Sequence, residues 1–146
     1  MKICGWLIGG IALFIMMAAA SAGPVETPGK GSPLRAAILD GLRKTEPLHK
    51  LSQEWHAKIV FTDVTIRRIG DWAWVAASPM SEDNKNHFES VSGVMCRSKK
   101  GEWQMVDFVS DEIAAADDPP QEFRKWQMQF VKKHSQCPAA IFPVNF

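Results

Sequence analysis

Residues 58–77 read KIVFTDVTIRRIGDWAWVAA, and the fold follows from them. Ile59, Val60, Phe61, Val64 and Ile66 make a β-branched and aromatic run, Gly70-Asp71 interrupts it, and residues 72–77 resume it. Two such runs joined by a Gly-Asp pair are the pattern of a β-hairpin closed by a tight turn. Toward the C-terminus, residues 79–86 are polar and read as a loop. Residues 89–97 and 103–109 then form a second pair of runs around Lys99-Lys100-Gly101. The two turns share an order: basic residue, turn glycine, acid, tryptophan, at 68–72 and again at 99–103. One turn problem solved twice accounts for the likeness as well as a duplication does.

Helices flank this β region. Ser32-Pro33 is a helix start, a hydroxyl N-cap followed by proline at the first helical position. Leu34, Ala37, Ile38 and Leu42 recur at helical spacing, so the helix lies on a core and ends near Lys44. Pro47 opens a second short helix with Leu48, Leu51 and Trp55 on one face. Asp117-Asp118-Pro119-Pro120 starts a C-terminal helix, with acid at the positive end of its dipole. Phe123, Trp126, Phe130 and Val131 form its apolar face, and Ile141 and Phe142 are expected to pack back on the sheet. The class is therefore α+β: N-terminal helices, a four-stranded antiparallel meander and a C-terminal helix. With the helices grouped on one face, a curved sheet with an open concave side is expected, of cystatin-like or nuclear-transport-factor-like shape.

The N-terminus sets the compartment. Lys2 precedes an apolar stretch of roughly 18 residues, at the short edge of a spanning helix. Ala20-Ser21-Ala22 then offers the small residues that signal peptidase requires. Residues 1–22 read as a secretory signal peptide, 23–31 as a flexible Pro- and Gly-rich leader, and 32–146 as one domain. A periplasmic or secreted location follows, with no membrane-spanning segment after cleavage. Of 17 basic residues, loss of Lys2 leaves 16 against 16 acidic ones, and this balance carries no footprint for nucleic acid. Cleavage also leaves two cysteines, Cys96 and Cys137. Outside the cytosol such a pair reads first as a disulfide, with two separate buried thiols as the other reading.

Residues 35–43, RAAILDGLR, resemble the opening helix of a group of small exported bacterial proteins of unknown function that share an R-x-x-I-L-D-x-x-R pattern. The likeness continues through a hydrophobic strand into Gly70-Asp71-Trp72-Ala73-Trp74-Val75, and into a later hairpin matched by Gly101, Trp103, Val106 and Val109. It spans most of residues 34–110 and is weaker over the C-terminal helix. The resemblance implies export and an α+β fold, carries no catalytic residues, and implies a shorter central insertion here, between Pro79 and Phe88.

Candidate chemistry is sparse. His49, His56, His87 and His134 form no pair at metal spacing, so no metal or other cofactor is expected, and His87 and His134 read as solvated surface residues. No nucleophile elbow is present. Asp107 lies within a hydrophobic strand and alternates with Met105 and Val109, which points it toward the core and an ion pair with Arg67, Arg68 or Arg97. Arg35, Asp40 and Arg43 read as helix ion pairs that dock the first helix on the sheet edge. Trp72 and Trp74 share one side of their strand, and Trp103 opens a neighbouring one. Trp72, Trp74, Trp103 and Asp107 are the candidate ligand or partner surface. The expected function is a non-enzymatic binding module of the envelope, facing a protein, peptide or glycan. The alternatives are an immunity or inhibitor protein against an envelope-targeting enzyme, and a small hydrolase or isomerase.

Overall fold

The computed structural model describes residues 23–114 and 116–143, and the signal-peptide reading of 1–22 lies outside them. Two helices come first, α1 (Pro33–Arg43) and α2 (Glu46–Trp55). Four strands follow: β1 (Ile59–Ile69), β2 (Trp72–Ser81), β3 (Val91–Arg97) and β4 (Trp103–Phe108). A single turn α3 (Asp111–Ala114), the helix α4 (Pro119–Lys133) and a 3₁₀ turn at Ala139–Ile141 complete the chain. The sheet is an antiparallel meander in the order β1-β2-β3-β4. The α+β class and this element order are as the sequence reads.

Local chemistry fixes most boundaries. The Ser32 hydroxyl accepts a hydrogen bond from the Arg35 backbone N–H at 3.2 Å, so α1 starts on a true N-cap. Gly70 (φ 58°) and Gly101 (φ 84°) supply the left-handed backbone at the two hairpin turns. One boundary differs from expectation. Residues 79–81 continue β2 instead of opening the loop, with Pro79 paired to Phe61. The β2–β3 ladder has already ended at Ala77↔Val91, so the missing proline N–H breaks no bond on that side. The loop that follows is closed by buried Ser81. Its hydroxyl donates to the Asp83 carboxylate at 2.6 Å and accepts from the Asn86 N–H at 2.9 Å. Those bonds, Ser81 first and then Lys85, hold the Asp83 carboxyl below its usual range.

The packing corrects the expectation that all helices share one face. Ile38, Leu42 and Leu48 of α1 and α2 pack with Ile66, Ala73, Val75, Ala77, Met95 and Trp103. Phe123 and Phe130 of α4, with Cys137, Ile141 and Phe142, pack with Ile69, Trp74 and Val94 on the other face. The chain is a helix–sheet–helix sandwich with two cores separated by the sheet. Neither face of the meander is left as an open concavity. Ile141 and Phe142 do return to the sheet, at 0% and 3% exposure. Two arginines fasten the layers. Arg67 donates to the carbonyls of Ile141 (2.9 Å) and Ala140 (3.0 Å), and Arg43 donates to the Ile59 carbonyl (2.8 Å) while pairing with Asp40.

The seating of α1 on β4 is close enough to require glycine. A Cβ on Gly41 would overlap the Trp103 carbonyl oxygen and stand 2.9 Å from the Trp103 Cβ. Gly41→Ala gains about 1 kcal/mol of helix propensity, but forcing the helix off the strand costs typically 1–3 kcal/mol. The expected outcome is a net loss of stability, read as a lower urea midpoint. A midpoint raised by the full propensity gain would mean that α1 does not sit on β4 as described.

Candidate functional site

The tryptophans expected to form a surface are divided between the two cores. Trp74 is 1% exposed and lies among the rings of Phe123 (5.5 Å between centroids), Phe142 (5.9 Å) and Trp126 (6.2 Å). Trp72 is half-buried on the same face, edge-on to Phe130 at 6.3 Å. Trp103 is 4% exposed on the opposite face, under α1. Trp74 and Trp103 therefore share no surface, because cross-sheet alternation sends them to different layers. His134, expected in solvent, is half-buried and lies 4.5 Å from the Phe130 ring. His87 is exposed, as read.

Asp107 departs from its expected setting as well. A bulge between the pairs Val94↔Asp107 and Met95↔Met105 breaks the simple alternation along β4. The side chain is exposed instead of turned to the core. The arginines expected to pair with it are engaged elsewhere: Arg97 with Asp71 (2.9 Å), Arg68 with Glu26 (2.5 Å) and Arg67 with the carbonyls named above.

What gathers around Asp107 is an open trough. One stretch, about 670 Å³, runs between the α1–α2 corner (Gly41, Lys44, Glu46, Pro47) and the whole of β4. A second, about 620 Å³, continues past the end of β4 along residues 88–92 and 109–111. Pro47 and Phe108 line both, so the two stretches meet there. The apolar floor comes from Trp103, Met105, Phe108 and Phe88, the last 44% exposed. Glu46, Glu102, Asp107, Glu89 and Asp111 line the two stretches, against Lys44 as the one lining cation among the described residues.

The trough escapes a reading of residue types because it depends on which strand ends the sheet. Among the described residues, the order β1-β2-β3-β4 leaves β4 with a neighbour on one side only. The other edge, β1, is held by the leader. Glu26 and Arg68 exchange two backbone hydrogen bonds of 2.8 Å, so the segment read as flexible is fastened there.

The two cysteines share the α4 layer. Cys96 is the cross-strand neighbour of Trp72, on the side where Val94 faces α4. Cys137 lies in that same cluster, its N–H bonded to the His134 carbonyl at 2.8 Å. Both are free thiols in this structure. Burial, and then the charge of Cys96, push the Cys137 thiol up to about 12. Burial, and then Asp71, raise Cys96. Neither is a ready nucleophile at neutral pH.

Among the described residues, no group of three His, Cys, Asp or Glu side chains is placed to hold a metal ion, and no helix is long and apolar enough to cross a membrane. Comparison with family models, curated proteins and solved structures finds no match.

Proposed function

We propose that this chain is an exported, non-enzymatic binding module of the envelope, and that its partner docks along the β4 trough instead of on the tryptophans of the sheet. The observation that carries the reading is the trough itself. Half-buried Met105 and Phe108 and exposed Phe88 lie beside a strand whose outer edge, among the described residues, has no neighbour. An exposed edge strand is a surface that proteins ordinarily cover or blunt. Export rests on the pattern of residues 1–22, and a disulfide between Cys96 and Cys137 suits that compartment.

A photo-crosslinking residue in place of exposed Gln104 tests the docking site, with the same replacement at exposed Lys132 on α4 as the control. In protein recovered from the envelope with Gly23 at its N-terminus, position 104 is expected to yield a discrete adduct and position 132 none. Equal labelling at both positions, or no adduct from folded protein, would sink the reading. An enzyme as the captured partner would assign the module as an inhibitor. A small hydrolase or isomerase is the second reading, favoured by the carboxylates that line the trough. It requires Asp107→Asn to abolish a turnover, where the binding module requires only altered affinity.

A further inference from the structure

The chemistry of the trough narrows its occupant, on the reading that the trough is a docking site. Two backbone bonds fix how β4 faces: Ser98 donates to the Glu102 carbonyl and Val109 donates to the Ser92 carbonyl, each at 2.8 Å. Glu102 and Val109 therefore turn their main-chain groups toward β3. Antiparallel alternation, with the bulge near Val106, turns those of Trp103, Met105 and Phe108 outward. The Trp103 carbonyl is taken up against Gly41, so the accessible edge runs from Met105 to Phe108. The side chains of Met105 and Phe108 pack toward the α1–α2 core, and Gln104 and Asp107 stand exposed beside them.

This combination suits an added strand: outward main-chain groups at Met105 and Phe108 with no partner among the described residues, an apolar floor for alternate side chains, and a rim of charge for the others. The rim has one sign. Five carboxylates border the two stretches against Lys44, with Lys99 and Lys100 confined to the β3–β4 turn at one end. A second copy pairing β4 to β4 would bring two such acidic rims together, which like-charge repulsion opposes. We propose that the occupant is an extended peptide segment of alternating apolar and basic residues, which adds to β4 as a fifth strand.

The probes are three eight-residue peptides titrated against the full mature chain: alternating Lys-Val, alternating Glu-Val, and Lys-Val with every second backbone nitrogen methylated. The Lys-Val peptide is expected to bind at least about tenfold more tightly than either of the others. Its binding should weaken as salt shortens the screening length from about 10 Å at 0.1 M to about 3 Å at 1 M. Asp107→Lys, an exposed change that leaves the core intact, should weaken it further. Equal binding of the Glu-Val peptide, equal binding of the methylated peptide, or dimerisation of the chain at these concentrations overturns the proposal. An adduct at residue 104 with no peptide binding overturns this inference and leaves the docking reading standing. Failure of both overturns the two together.

Discussion

Trp74→Ala is expected to destabilise the chain by about 3–5 kcal/mol, the range for removing a large aromatic from a packed core. Trp74 lies near the start of β2, 1% exposed, and α4 and the C-terminal turn reach the sheet largely through rings that touch it. Those rings are perpendicular or tilted, at 54–72° to the indole. That is the arrangement in which aromatic pairs add to plain area burial. Alanine leaves a hole that Phe123 and Phe142 cannot both fill, since each is held by its own element. Against a typical total stability of about 5–15 kcal/mol, the loss is about a fifth or more. Urea unfolding measures it, and near-UV circular dichroism should lose the signal of the α4 ring cluster. The same change made to a binding surface would leave the urea midpoint in place and reduce partner capture. That result would return Trp74 to the role its sequence pattern suggests.

Reduction of the proposed Cys96–Cys137 disulfide is expected to cost roughly 4 kcal/mol, the chain-entropy value for a loop of about 41 residues. Such a bond would form by exchange with an external disulfide. The two thiols release two protons and pass two electrons to that disulfide, which becomes a dithiol. Exchange proceeds through the thiolate, and in the folded chain both thiols are raised, Cys137 to about 12. Protein isolated from the envelope and denatured without reductant should take up no thiol label, and after reduction it should take up label at both cysteines. Labelling of both before reduction would overturn the bond. The reduced protein has its own pH dependence. A thiol held neutral by burial adds no instability below the ordinary thiol value near 8.5. Above that value the unfolded chain ionises and the folded one does not, so stability falls as pH climbs toward about 12.

Local signals in the sequence were sufficient for the elements. The Ser32 cap, the glycines at 70 and 101, and the helical spacing of Leu34, Ile38 and Leu42 are all decided within a few residues. The layering was not read, although one signal for it was present. Residues 72–77, WAWVAA, have no polar side at all. A strand half-covered by helices alternates, whereas a strand covered on both faces runs continuously apolar. Bulky Trp72 and Trp74 on one side and Ala73, Val75 and Ala77 on the other are the two interiors of a sandwich. The candidate site was less legible still. Asp107 is exposed because a bulge shifts its strand, and the trough exists because α1 crosses the sheet at the β4 end. The trough depends on a contact between Gly41 and Trp103, some sixty positions apart, and the bulge on the register of two strands, neither of which a local pattern encodes.

The Glu26–Arg68 pairing gives the molecule a direction. Glu26 is paired to β1, and β1 lies three strand spacings from β4, about 14 Å at about 4.8 Å each. A body held from its N-terminus thus turns its acidic rim away from the point of attachment. A reporter or immobilising tag placed at that end leaves the opposite edge clear.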